Sequence, residues 1–400
     1  MKCRSCADNN LEFILDLGAQ PWGNDYKSIN TYTKCEKYPL RLFFCNTCAL
    51  AQIDFTIPKE VMFVSHTYLS GTTHTLKSHF QKISRDILKY LNTEDLIVDI
   101  GGNDGTFLEL FHLLGYKTLN IDSGIQQSQV SISKGIDTIN DFFSTSLVKR
   151  ITSENGKAKL IHASGILFHL ENLHDAFDAI NNLLDKKGIM VAEFIYLPEM
   201  IEKLAYDQIY HEHLVYYSLT SFQNLLSKFD LEVFDCFFET IHGGTCVAYV
   251  AHKGYRSKSN RLKNFFVQES LRQVNSPIRL LEFAQQARNS RDQLRNLVET
   301  LVGAKQTIYA IGAPVKGSTL LNFAGLNETH IKYALEKNPL KFNTYLPGTK
   351  IKVIDESLSD IPDVYLLLAW NFQNEIISRY KNNGNCTSKF ILPVPYPKEI

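Results

Sequence analysis

Residues 96–110, LIVDIGGNDGTFLEL, decide the fold. An apolar run from Leu96 to Ile100, broken only by Asp99, meets a turn containing Gly101, Gly102 and Gly105, after which Phe107, Leu108, Leu110 and Phe111 return at helical spacing. The pattern predicts a strand, a tight turn and a helix. Glycines let the backbone pass close beneath a ligand, and the helix start offers unpaired N–H groups and the positive end of a dipole. A dinucleotide fold would show G-x-G-x-x-G. Here Asp99, Gly101, Asn103 and Gly105 spell hydrophobic-D-x-G-x-N-x-G instead.

Strand and helix patterns alternate downstream. Leu119 to Asp122 is a second strand ending in an acid able to hold both hydroxyls of a ribose. Gly135 to Ile139 is a third, followed by Asp141-Phe142, whose acid is placed to meet an adenine amino group. Lys159 to Ala163 is a fourth strand, a helix spans Leu173 to Leu184, and Gly188 to Phe194 is a fifth strand. This alternation predicts a doubly wound parallel sheet with ligands at the carboxyl ends of its strands. Asp99, Asp122, Ser164 and Glu193 lie at such ends. Upstream, a helix from Thr75 carries the stripe Leu76, Phe80, Ile83, Ile87 and Leu91.

Four of the eight cysteines form two knuckles, Cys3-x2-Cys6 and Cys45-x2-Cys48. Such pairs present four thiolates to Zn²⁺ and leave no open position for chemistry. Strand-like pieces at Leu11–Leu15 and Leu40–Phe44 would bring the knuckles together. The stretches Leu17–Asn24 and Tyr68–Thr73 read as plain loops on spacing alone.

Tyr206–Tyr217 holds two His, one Glu, one Asp and four Tyr, a concentration suited to proton transfer near neutrality. His211-x-His213 is also a candidate metal pair, but no third ligand is suggested nearby. A helix around Phe222–Phe229, a strand from Leu231 to Phe237, His242-Gly243-Gly244, and two helices within Lys258–Leu301 divided near Ser276-Pro277 follow. Thr307–Ile311 then begins a second strand-turn-helix, in which the Gly312–Ser318 turn carries Lys316, a phosphate-site arrangement. Further strands are expected at Ile331–Glu336 and Asp363–Trp370. The predicted architecture is α/β with three parts: a zinc-binding N-terminal domain (residues 1–74), a central Rossmann-like domain (75–235), and a C-terminal Rossmann-like domain with a helical connector (236–400).

The composition excludes several classes of partner. Forty-two basic residues balance forty-two acidic ones, so no net field favours nucleic acid or an anionic membrane. No stretch approaches the length of an apolar span, and no signal-peptide core follows Met1. A cytoplasmic protein, monomeric by default, is expected, with disulfides disfavoured.

The DIGGNDG turn resembles the first motif of the S-adenosylmethionine methyltransferases. Two C-x2-C knuckles, DIGGNDG, YHEH, HGGT, GAPVKGSTLLN, YLPGT and LLLAWN, in this order and over nearly the full chain, resemble the three-domain sugar C-methyltransferases that act on nucleotide-linked keto-sugars. Gly102 stands where Ser or Ala is common in them, Ser164 where Asn is, and Ala310 where Gly often is. The resemblance implies methyl transfer from S-adenosylmethionine to a sugar carbon, C3 beside a C4 ketone, with structural zinc. It implies His213 as the base, accompanied by Tyr210, Glu212 and His169. The implied cofactor set is Asp99, Gly101, Asn103, Gly105, Asp122, Asp141, Phe142 and Ala163, and the implied substrate set is Tyr68, Ser70, His242, Lys316, Ser318 and Asn322. Two other readings fit a His base or paired α/β domains: an O-methyltransferase on a sugar or small metabolite, and a non-catalytic nucleotide-sugar-binding protein.

Overall fold

Leu96–Ile100 forms the middle one of five parallel strands in a seven-stranded sheet, and the turn after it leads into helix Leu108–Leu113. The structure, a computed structural model, describes residues 1–31, 34–64, 68–72, 74–382 and 388–400. From one edge the sheet runs Leu231–Glu239, Thr245–His252, Leu184–Ile195, Ala158–Ser164, Leu96–Ile100, Lys117–Ile121 and Asp137–Ile139. The last five of these are parallel, and the two at the first edge are antiparallel. The doubly wound sheet is therefore as the alternation predicts. From Leu96–Ile100 the chain first builds outward to one side and then returns to build the other. That puts the switch point between Leu96–Ile100 and Ala158–Ser164.

Side-chain alternation sorts the core. Val98 and Ile100 join one buried cluster, while Ile97 joins the other, beneath Phe80, Ile83 and Ile87 of helix His74–Leu88. The sheet extends past residue 235. Leu231–Glu239 pairs with Thr245–His252, which in turn pairs with Leu184–Ile195, so a division at 235/236 falls inside a hydrogen-bonded strand.

The N-terminal sheet orders Leu11–Pro21, Lys37–Cys45, Ala51–Ile53 and Val215–Tyr216. Its last strand thus comes from the segment just after His213. The C-terminal sheet has eight strands and a parallel centre, with Ile308–Ile311 flanked by Tyr333–Glu336 and Val364–Leu367. Its far edge is Lys27–Ser28, paired antiparallel with Thr344–Tyr345. Each outer sheet therefore borrows a strand from elsewhere in the chain, which fixes the sheets against one another. The predicted helices of the connector are Asn260–Leu271 and Pro277–Gly303. Among the described residues no helix is long and apolar enough to cross a membrane.

Candidate active site and zinc centre

The two Cys knuckles are built alike. Ala7 N donates to Cys3 O and Ala49 N to Cys45 O, both at 2.9 Å, and Ala7 and Ala49 both adopt left-handed backbone (φ 62° and 61°). The four Sγ atoms lie within 4.8 Å of one another, with Cys3–Cys48 and Cys6–Cys45 at 3.5 Å. A tetrahedral Zn²⁺ with bonds of about 2.3 Å needs sulfurs about 3.8 Å apart. Cys3, Cys6, Cys45 and Cys48 thus fit that ion, in a closed coordination shell.

A cleft of about 630 Å³ opens where the carboxyl ends of the central and C-terminal sheets meet. Gly101 and Ser164 line it at the switch point of the central sheet. Pro314 and Ala369 line it in the loops following Ile308–Ile311 and Val364–Leu367, the switch point of the C-terminal sheet. Two doubly wound sheets thus aim their ligand-binding edges at one cavity.

On the central side, Gly101 has φ 67°, and a Cβ there would stand 2.8 Å from Ile166 Cγ1. This leaves a bare backbone cradle at the cleft. Asp122 accepts from Asn103 N at 2.9 Å through Oδ2 and from Gly124 N at 2.8 Å through Oδ1. Each carboxylate oxygen retains a lone pair for a ribose. Burial raises the Asp122 carboxyl above its usual range, opposed by those two N–H donors. Asp141, exposed, and Phe142 line the cleft beyond it. Asn103 holds the turn in left-handed backbone (φ 53°), its Oδ1 accepting from Ser70 N at 3.0 Å and its Nδ2 donating to Tyr68 O at 3.2 Å. Tyr68 and Ser70 line the same cavity. A bare backbone cradle, a ribose-height acid and an aromatic wall suit an adenosine-bearing cofactor.

Three residues of the predicted cofactor set do not reach the cleft. Asp99 is on the Ile97 face of its strand, where Oδ1 meets His162 Nδ1 at 2.7 Å and the His162 ring stacks on Phe107 with centroids 3.5 Å apart. Gly105 (φ 73°) is pressed on Ile136 and Ser131, where a Cβ would approach within 2.7 Å. Ala163 is fully buried in the core, and its neighbours Ser164 and Gly165 line the cavity.

Gly102 has a local explanation. A Cβ there would meet Asn120 Oδ1 at 2.3 Å and Asp99 Cγ at 2.7 Å, and Asn120 is held by its Nδ2 bonds to Asn103 O and Ser131 Oγ, each 3.0 Å. Gly102→Ala is expected to cost about 1–3 kcal/mol, read by denaturant unfolding, and Gly102→Ala combined with Asn120→Ala should recover part of that loss.

The segment from Tyr206 to His213 crosses the cavity floor. His213, buried, donates Nδ1–H to Gln208 O at 2.9 Å. In the neutral ring this places the lone pair on Nε2. Its ring lies 3.8 Å from Tyr210 and 5.2 Å from His169, centroid to centroid. All three line the cleft, as does Glu212. His169 Nδ1 bonds the Glu212 carbonyl. Burial drives the Tyr210 hydroxyl well above the ordinary phenol range, so it stays a neutral donor. His211 turns the opposite way, its Nε2 near Pro39 O at 3.2 Å and its ring against Tyr38, so it shares no metal site with His213.

Two residues passed over as loop reach this floor. Trp22 Nε1 and Asn24 Nδ2 donate to Glu212 Oε1 at 2.6 and 2.8 Å. Nothing in their spacing marks them, since the contact spans nearly two hundred positions of chain.

On the C-terminal side Lys316 lines the cleft, with Nζ donating to Asn371 Oδ1 at 2.8 Å and standing 3.9 Å from the Trp370 ring centroid. Burial lowers its pKa to about 8, against the pull of Asp207. Lys341, which the sequence reading missed, adds a second ammonium, with Nζ on Ala313 O at 2.8 Å. Ser318 and Asn322 do not line the cavity. They share helix Val315–Ala324 with Lys316 but fall on its other side, where Asn322 Nδ2 donates to Ser318 O and Pro347 O at 2.8 and 3.0 Å. His242 belongs to the short turn Ile241–Gly243, and its side chain lies outside the described residues.

Residues 3–63 match the profile of a zinc-binding domain, 73–235 that of a methyltransferase domain, and 240–395 that of the C-methyltransferase C-terminal domain. The C-methyltransferase NovU of Streptomyces niveus is 28% identical over 405 residues, which span 100% of this chain and 96% of that protein. Zinc-binding, methyltransferase and C-methyltransferase C-terminal domains thus follow one another along the chain. Among solved structures, the magnesium protoporphyrin IX methyltransferase of Synechocystis PCC 6803 with bound SAH aligns over 44% of this chain and 83% of its own, at 10% identity and a TM-score of 0.36. The plantazolicin methyltransferase BpumL in complex with SAH aligns over 44% and 83%, at 15% identity and a TM-score of 0.35. This methyltransferase holds structural zinc on its four knuckle cysteines.

Proposed function

We propose that the enzyme methylates C3 of a nucleotide-linked 4-keto-deoxy sugar through an enolate, in the biosynthesis of a branched-chain sugar. The observation that carries this is that His213, its Nδ1–H taken by Gln208 O, lines one cleft together with Gly101 and Asp122 of the central sheet and Lys316 and Lys341 of the C-terminal side. A C–H bond beside a carbonyl is acidic enough to transfer only where a base stands at the carbon and donors meet the oxyanion. His213 takes the C3 proton onto Nε2. Tyr210, kept protonated, donates to the C4 oxygen as charge builds there, and His169, whose Nδ1–H is taken by the Glu212 carbonyl, presents Nε2 as an acceptor to a sugar hydroxyl. Bound S-adenosylmethionine supplies the electrophilic methyl group that the carbon takes up. Gly101, Asp122, Asp141 and Phe142 hold that cofactor, while Lys316 and Lys341 hold the diphosphate and Tyr68 and Ser70 border the sugar.

The base is tested without the methyl donor. A panel of nucleotide-linked 4-keto-6-deoxy sugars in heavy water should exchange hydrogen for deuterium at C3 with wild-type enzyme. Binding of a panel sugar with no exchange at C3 would remove the enolate.

Lys316 gives the phosphate grip a pH signature. Its buried ammonium, with a pKa lowered to about 8, is fully present well below that value and is lost as pH rises through it. Calorimetric affinity for a nucleoside diphosphate should therefore be level on the acid side and fall on the alkaline side, and Lys316→Arg should abolish the fall because a guanidinium keeps its charge. An identical alkaline fall in Lys316→Arg would assign it elsewhere.

A further inference from the structure

The chain contains two tryptophans, and both end on one short segment. Trp22 follows strand Leu11–Pro21 of the N-terminal sheet, and its Nε1 donates to Glu212 Oε1 at 2.6 Å. Trp370 follows strand Val364–Leu367 of the C-terminal sheet, and its Nε1 donates to Asp207 Oδ2 at 2.6 Å. An indole N–H is a donor only, and a buried carboxylate is tolerated only where donors neutralise it. Both carboxylates are buried. Burial raises both carboxyl pKa values, opposed at Glu212 by Trp22 and Asn24 and at Asp207 by Lys316 and Trp370. Asp207 Oδ1 has no hydrogen-bond partner among the described residues, and the charge of Lys316 and the Trp370 indole hold that side.

What lies between the two carboxylates is the attachment of the base. His213 Nδ1 is bonded to the carbonyl of Gln208, the residue next to Asp207. The His213 backbone continues directly from Glu212, whose carbonyl takes the His169 Nδ1 bond. Movement of either carboxylate shifts one of the two points that aim Nε2.

We propose that Trp22 and Trp370 are positioning residues for methyl transfer: two indole donors, one from each flanking sheet, that hold the Asp207–His213 segment at both ends and so aim His213 into the cleft. This rests on the assignment of His213 as base. Trp370 also lies beneath Lys316, so the phosphate grip and the base share an anchor.

With two tryptophans, the full-length protein labelled with ¹⁵N-tryptophan gives two indole N–H resonances. Both should lie at low field and exchange slowly with solvent. Glu212→Gln should move one and Asp207→Asn the other, each leaving its counterpart in place; these variants keep both indoles even where a Trp variant fails to fold. Trp22→Phe and Trp370→Phe should lower kcat about tenfold or more, the loss of one charge-assisted bond. KM for S-adenosylmethionine and its calorimetric affinity should be unchanged. An indole that ignores its carboxylate substitution overturns the proposal. So does wild-type kcat in either Phe variant, or cofactor affinity falling in step with kcat, which is the mark of a general packing role. Absence of wild-type turnover on the keto-sugar panel overturns the substrate reading alone, and the clamp then stands or falls on the resonances.

Discussion

His213→Asn is expected to lower turnover about a thousandfold, within the range that a positioned general base contributes, while S-adenosylmethionine affinity stays as in the wild type. The asymmetry follows from the layout. His213 is fixed to the Tyr206–His213 segment through Gln208 and packs on Tyr210 and Phe168, whereas the cofactor side is built from the turn at Gly101 and the strand ends at Asp122 and Asp141. Asparagine keeps a polar group of similar reach but has no basic nitrogen. Deuterium incorporation at C3 should vanish together with methyl transfer, because both need the same proton removed. Retention of exchange with loss of transfer would give His213 some other duty.

The second large effect concerns zinc. Cys45→Ser removes a thiolate from a closed four-sulfur shell, and binding free energy at such sites is folding free energy, on the order of 10 kcal/mol for small zinc domains. The variant should lose its equivalent of zinc by metal analysis and show an early unfolding transition that the wild type lacks. Turnover should fall as well, although no cysteine among the described residues lines the cleft. The N-terminal sheet takes Val215–Tyr216 as its edge strand through Gln52 and Ala51, and the same domain supplies Trp22 and Asn24 to Glu212. A wild-type melting profile and full turnover in a zinc-free Cys45→Ser protein would contradict this role.

The parts legible in the sequence are those where local chemistry repeats. Apolar runs ending in acids or small turns placed the strands Leu96–Ile100, Lys117–Ile121 and Ala158–Ser164 within a residue or two, because buried parallel strands carry an unbroken apolar signal. The four zinc-site cysteines were legible by spacing. What spacing does not convey is which way a side chain faces once the element packs. Asp99, Ala163, Ser318 and Asn322 sit in the right segments but point away from the cleft, Asp99 to His162 and Asn322 to Pro347. Nor does it convey contacts made across sheets. Trp22 and Asn24 meet Glu212 across nearly two hundred positions of chain, the N-terminal and C-terminal sheets each take an edge strand from elsewhere, and the hairpin Leu231–His252 completes the central sheet through pairing that no local pattern announces.

The most direct test of carbon methylation uses S-adenosylmethionine labelled with ¹³C in its methyl group, turned over with the panel member that exchanges at C3, with the product followed by two-dimensional NMR. Methylation at C3 predicts a methyl resonance at carbon-bound shift, a singlet on a fully substituted carbon, with long-range correlations to C3 and to the C4 carbonyl. A labelled methoxy resonance correlated to a ring carbon through oxygen would contradict it and make the enzyme an O-methyltransferase.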